Sequence, residues 1–270
     1  GFGSKILISS ILATFSGNIY SLVIGKIFSA SSLGFYSRAD GYAALPVKTI
    51  TGVVDSVTYP VLSKLQDNDT RLIGSFRRML RISAYIIFPI MMGLAVLAKP
   101  LVIVLVTEKW LPCVIYLQVL CFARMWWHVH ILNLNLLKAK GRSDLFLKLE
   151  VIKQVTIILF LVSTAPFGIM IICIGSVFSA IVSMCINSFY TGKLLHFGII
   201  RQMREMLPSI LYSIVMGGIV YISILFLTSM WIKLLVGTLV GIFSYILISV
   251  VTKSQDFNYL FALVREKIRR

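Results

Sequence analysis

The sequence predicts an all-α fold, a polytopic membrane helical bundle of about eight transmembrane helices. Three observations carry that expectation. Of 270 residues, 58% are hydrophobic and only 13% are charged, where soluble domains carry about a quarter charged. The mean hydropathy is +0.93. The apolar residues also fall into runs long enough to cross a bilayer as a helix, which takes ~20 residues.

Taken in order, the runs fall at 5–29, 41–63, 80–98, 113–137, 145–165, 168–190, 208–228 and 231–251. The first two are the least hydrophobic, since one carries Thr14, Ser16, Asn18 and Ser21 and the other Lys48, Thr51, Asp55 and Thr58. The formal charge of +16 comes from 26 Lys and Arg against 10 Asp and Glu. These residues punctuate the apolar runs instead of forming one patch, which argues for topology signals and against a nucleic-acid partner.

Assigning alternate connections to alternate sides puts most of the charge on one side. That side takes Lys5, the cluster Lys64 to Arg81, the group Lys138, Lys140, Arg142, Lys148 and Lys153, then Lys193, Arg201 and Arg204, and the tail residues Lys253, Arg265, Lys267, Arg269 and Arg270. Only Arg38, Lys99, Lys109 and Lys233 fall on the other. Basic connections stay cytoplasmic, so both ends of the chain are expected on the cytoplasmic side of the membrane. Two basic segments are amphipathic: Leu72, Phe76 and Met79 share a face, as do Phe257, Leu260, Phe261, Val264 and Ile268. Both predict helices lying at the cytoplasmic interface against anionic headgroups. Pro46 and Pro60 bracket the second run and suggest a bent helix, while Pro100, Pro112, Pro166 and Pro208 fit ordinary helix ends.

Candidate functional residues sit where polar groups interrupt the spans, a costly placement that points to a bundle interior or a wet cavity. Lys48 and Asp55 are seven apart and share a helical face. Lys48 could meet an anionic group while Asp55 holds it or exchanges a proton. A lysine reaching for the interface and an aspartate bonded to a neighbouring helix explain the pair equally well. The stretch 124–153 runs from a membrane-length segment with uncommon polar residues into a basic hairpin, and on an ideal helix Arg124, His128 and Asn135 align while His130 and Asn133 face elsewhere. Arg124 suits phosphate recognition; Asn133 and Asn135 fit interhelical hydrogen bonding. Lys138 to Lys148 reads as a hairpin turning at Gly141, with a helix start near Ser143 or Asp144.

Several chemistries lack their residues. His128, His130 and His196 do not form a metal-binding cluster, and Cys113, Cys121, Cys173 and Cys185 lie scattered in apolar runs as packing residues. No phosphate-binding loop GxxxxGK[ST] and no GxSxG is present. Acidic residues within spans look almost confined to Asp55. Neither an enzyme nor a cofactor is called for.

The strings GKIFSASSLGFYSRAD, YPVLSKLQDN, FPIMMGLAVLAKPLV, EKW and HILNLNLLKAKGRSDLFLKLEVIK resemble, in that order and spacing, the bacterial lipopolysaccharide and polysaccharide exporters of the multidrug/oligosaccharidyl-lipid/polysaccharide flippase superfamily. The likeness runs from Gly1 to about Lys153, and beyond it only the pattern of spans matches. It implies a two-bundle alternating-access transporter. Residues 1–190 would be its second six-helix bundle, 191–252 two further C-terminal transmembrane helices, and 253–270 a cytoplasmic amphipathic basic tail, with about six helices expected before Gly1. The implied function is flipping an undecaprenyl-diphosphate-linked oligosaccharide across the inner membrane for lipopolysaccharide, O-antigen or exopolysaccharide biosynthesis. Lys48 and Arg124 are candidates for the diphosphate, with Asn18 and Asp55 as polar cavity residues. Membrane lipids and glycan polymerase or assembly proteins are the implied partners. The alternatives are a multidrug exporter of the same superfamily, a non-transporting scaffold, and a membrane-embedded glycan polymerase or acyltransferase.

Overall fold

Every regular element is helical among residues 18–268, the part of the chain that the computed structural model describes. Lys5, Arg269, Arg270 and the start of the first expected span lie outside those residues. The described helices are α1 (18–27), α2 (Ala30–Lys64), α3 (Asp69–Val96), α4 (Ala98–Val106), α5 (Cys113–Arg124), α6 (Trp127–Ala139), α7 (Ser143–Thr164), α8 (Ile169–Leu195), α9 (Ile199–Leu225), α10 (Met230–Val251) and α11 (Gln255–Ile268). By length and composition α3, α8, α9 and α10 are each able to cross a membrane. The helices α2 and α7 have the length but interleave charged residues, and α5 and α6 together cover one expected span.

Local chemistry sets the boundaries. The Ser29 hydroxyl accepts from the Ser32 amide at 3.2 Å and starts α2, and the Asn68 side chain accepts from the Arg71 amide at 3.0 Å and starts α3. Gly141 adopts φ 67°, a conformation natural to glycine, and turns the hairpin between α6 and α7. There Arg142 donates to Asp144 through Nε and Nη2, and this bonding pulls the Asp144 carboxyl down to about 2.

Helix α2 is uninterrupted over 35 residues, with Pro46 and Pro60, the residues that suggest a bend, inside it. Proline removes an amide donor from the ladder. In the turns near Pro46, Thr49 also donates to the Leu45 carbonyl at 3.0 Å and Thr51 to the Val47 carbonyl at 2.6 Å. Two expectations change. Leu72, Phe76 and Met79 belong to α3 itself, not to a separate interfacial helix, because Leu72 and Phe76 are buried and Phe76 packs edge-on against Phe197 at 5.8 Å. Pro208 lies inside α9, which begins at Ile199. At ~1.5 Å per residue, α3 and α9 are ~40 Å long and outreach the ~30 Å hydrocarbon layer.

Packing proceeds in neighbouring pairs. Helix α9 runs along α3 and α10 along α9, while α2 lies against α5 and α6, and α7 against α8. A main core contains Phe76, Phe88, Leu117 and Leu132, and a smaller cluster joins Tyr85, Met216, Val220 and Tyr245. Gly217 and Gly237 let the last helices approach, since a Cβ there would come within 2.7 Å of Met92 and 2.5 Å of Leu97. Tyr85 donates to Ser249 at 2.6 Å and Tyr245 donates to the Tyr85 carbonyl at 2.8 Å, bonding α10 to α3. Helix α11 is held by Arg81, which contacts Asp256 at 3.0 Å and Gln255 at 3.1 Å, and by Arg78 over the Tyr259 ring.

Candidate functional site

The chain is continuous through 113–139, but the helix is not. It breaks at Met125 and Trp126, where α5 ends and α6 begins, without proline or glycine. Val129 donates its amide to the Trp126 carbonyl, so the Met125 carbonyl takes a different partner, Nδ1 of His128 at 2.7 Å. His128 is thereby buried against Phe88, with ring centroids 5.3 Å apart. The break overturns the facing expected from an ideal helix. Arg124 and His130 now line one cavity, and His128 points into the core.

That cavity, about 300 Å³, lies among α1, α2, α5, α6, α7 and α8. Its charged groups come in closed pairs. Arg124 donates through Nε to Asp40 of α2 at 3.0 Å and also through Nη2 to the same oxygen. On α7, Glu150 and Lys153 are both buried and bond directly to each other. Lys153 donates to Nε2 of His130 at 2.7 Å. An ammonium has only donors, so His130 is neutral with its proton on Nδ1. The Asn187 side-chain amide touches that Nδ1, and Asn187 Oδ1 has no partner among the described residues. With its oxygen turned toward the ring, the Asn187 amide accepts from Nδ1–H.

A second polar cluster lies deeper and is fully bonded. Asn133 and Gln202 exchange two amide hydrogen bonds of 3.0 Å, Thr191 donates to Asn133 at 2.6 Å, and Ser188 donates to Gln202 at 3.0 Å. This joins α6, α8 and α9 by the interhelical bonding expected for Asn133.

The other sequence candidates lie elsewhere. Lys48 and Asp55 are exposed on α2, and Asn135 donates to Asp55 at 2.6 Å. Asn18 is exposed in α1. None of these three lines the 300 Å³ cavity, whereas Arg124 does. The sequence reading missed Asp40, Glu150 and the burial of Lys153, which it had counted among the connecting charges. A Glu150 and Lys153 pair three residues apart inside the span 145–165 was the available signal. Cys113, Cys121 and Cys173 are buried and Cys185 is exposed.

Helices of membrane-spanning length, with ion pairs closed inside the bundle, define a multi-pass membrane protein, and its fold is that of a lipid flippase. The structure superimposes on a solved chain titled lipid II flippase MurJ, inward closed conformation, with a TM-score of 0.77 at 16% identity, over 91% of this chain and 52% of that one. A family profile described as polysaccharide biosynthesis protein matches residues 1–115. An uncharacterized membrane protein in the cps region of Klebsiella pneumoniae is 30% identical over 193 residues, 71% of this chain and 40% of that protein. Lipopolysaccharide biosynthesis protein WzxC of Escherichia coli K12 is 30% identical over 152 residues, 56% of this chain and 31% of that protein. Teichuronic acid biosynthesis protein TuaB of Bacillus subtilis 168 is 30% identical over 144 residues, 53% of this chain and 30% of that protein. The chain is thus similar in sequence to membrane proteins of polysaccharide biosynthesis, and its fold is shared with a solved lipid flippase chain. It spans less than half the length of these three relatives.

Proposed function

We propose that this chain serves as the second bundle and C-terminal helix pair of a transporter. Its task is to carry an undecaprenyl-diphosphate-linked oligosaccharide from the cytoplasmic to the periplasmic leaflet of a bacterial inner membrane. It acts as a carrier with no enzymatic step, and both its ends are cytoplasmic. The observation that carries the reading is a flippase fold with a charge-lined cavity inside membrane-length helices. The relatives named for lipopolysaccharide and teichuronic acid biosynthesis support it. Residues 1–190 form the bundle, 191–252 the added pair and 253–270 the basic tail.

The exposed polar stripe of α2 is the proposed substrate path. Lys48 meets the diphosphate, and Asp55, held by Asn135, and Asn18 supply polar lining. Arg124 spends its Nε and Nη2 edge on Asp40, so its contribution to the diphosphate is the lesser one. A multidrug exporter selective for cationic amphiphiles would need several carboxylates open to its ligand, whereas Asp40 and Glu150 are each closed by a cation and Asp55, though exposed, is held by Asn135.

Deleting the gene should accumulate lipid-linked oligosaccharide on the cytoplasmic leaflet and strip the cell of surface polysaccharide. Restoring it with Lys48→Ala should leave surface polysaccharide lowered by about tenfold, the equivalent of one charge-assisted contact, while Lys48→Arg should restore most of it. Unchanged leaflet distribution in the deletion strain overturns the transport reading. Wild-type polysaccharide with Lys48→Ala overturns the diphosphate assignment.

A further inference from the structure

The cavity among α1, α2 and α5 to α8 is built for a ligand other than a diphosphate. Its cations are matched one for one: Arg124 by Asp40 and Lys153 by Glu150. A dianionic or trianionic headgroup placed there would have to displace a carboxylate, and a cation would have to displace Arg124 or Lys153. Charge balance therefore favours a neutral ligand. An acyl chain is disfavoured too, because its methylenes would cover the buried Glu150 and Lys153 and the His130 ring without offering a hydrogen bond.

Besides aliphatic surface from Leu120, Ile131, Leu134 and Ile157, the walls offer hydroxyl, amide and aromatic groups. Ser176, Ser179 and Ser183 recur at helical spacing along the face of α8 that borders the void, and Gln154 borders it from α7. Trp126 and Trp127, at the break between α5 and α6, and Tyr20 and Tyr36 also line it. Trp127 is 43% exposed, and its ring is tilted against His130 at a centroid distance of 5.4 Å. Aromatic rings and small hydroxyls lining one cavity suit a pyranose, whose C–H faces lie on a ring while its hydroxyls exchange hydrogen bonds with Ser and Gln. At about 300 Å³ the void is at the small end of ligand pockets.

We propose that this cavity is a carbohydrate subsite, taking an uncharged sugar residue of the glycan while the diphosphate stays on the α2 stripe. The proposal deepens the flippase reading and rests on it. Trp127 is the aromatic platform, Ser176, Ser179 and Ser183 with Gln154 read the hydroxyls, and the two closed ion pairs keep the site polar without charge selectivity.

The test is calorimetric titration of the purified full chain with the host's own oligosaccharide, freed from its lipid by mild acid, and with undecaprenyl diphosphate bearing no sugar. The oligosaccharide should bind saturably. Trp127→Ala should weaken it by about tenfold, Trp127→Phe should recover most of the loss, and Ala180→Phe, which fills the void, should abolish binding. None of the three should change binding of the sugar-free lipid. Trp127 is half-exposed, so its substitutions leave the core intact even if Ala180→Phe perturbs packing. No oligosaccharide binding, or binding unmoved by both Trp127→Ala and Ala180→Phe, overturns the subsite. If binding fails while the deletion strain still accumulates substrate, the subsite is wrong and transport stands. If the leaflet distribution is unaltered while the titration succeeds, transport is wrong and the pocket remains a saccharide site.

Discussion

At the scale of single residues, Lys153 shows how much a buried charge depends on its partner. Both Lys153 and Glu150 are all but removed from solvent, and they meet directly with His130 beside them. Removing one member leaves the other unpaired in a low-dielectric interior, which costs roughly 3–5 kcal/mol. Lys153→Met is therefore expected to lower the unfolding midpoint in detergent sharply, and adding Glu150→Gln to recover most of the loss. A double variant no more stable than the single one would show that the pair does not act as a unit. Asn133 makes the complementary case with neutral groups. Asn133→Leu strands Thr191 and one side of Gln202 in the interior, for roughly 1–3 kcal/mol. Thr191→Val in that background should then cost little more, because its partner is already gone; additive losses in thermal melts would refute the network.

At the scale of elements, the break between α5 and α6 decides what the site contains. The break has no proline or glycine to announce it. It rests on a side chain bonding to a backbone carbonyl, His128 to Met125, so a reading that carries an ideal helix through 113–137 puts Arg124 and His130 on different faces. Periodicity and hydropathy made the helices themselves legible, because spanning length and the hairpin at Gly141 are local properties of the chain. The pairs Arg124–Asp40 and Asn133–Gln202 join residues on different helices, and no local pattern states which distant residue answers a polar one. His128→Leu should remove the bond at the break, destabilise the bundle by roughly 1–3 kcal/mol and weaken oligosaccharide binding more than Phe88→Leu, which alters the same packing but leaves that bond in place. Equal effects on binding would assign His128 to packing alone. A second element-scale constraint lies where α8 turns into α9: a Cβ on Gly192 would stand 2.8 Å from the Gly198 Cα. Gly192→Ala must push two backbones apart, and a lowered melting midpoint is expected.

At the scale of the whole molecule, the charges counted in the sequence gather physically on one end of the bundle. Lys140, in the α6–α7 hairpin, donates to Asp69 at 2.5 Å and to the Gln66 carbonyl at 2.6 Å, joining the α2–α3 turn. Arg77 meets Glu205 of α9 at 2.6 Å, and Arg81 meets Asp256 of α11. At the opposite end Arg38 stacks over Trp110 at 5.0 Å, bringing the YSRAD and EKW strings together. Basic residues that share one end of a bundle share one side of the membrane, and the positive-inside rule makes the cytoplasm the expected side. With Cys185 replaced by serine to silence the exposed native thiol, single cysteines at Asp67, Arg142 and Lys253 should react with an impermeant maleimide only after the inner membrane is opened. Cysteines at Glu108 and Ser229 should react from the periplasm in spheroplasts that are still sealed. Labelling of Arg142→Cys in sealed spheroplasts would invert the bundle, and would place the Lys48 stripe and the sugar cavity in the wrong order for a substrate that starts in the cytoplasmic leaflet.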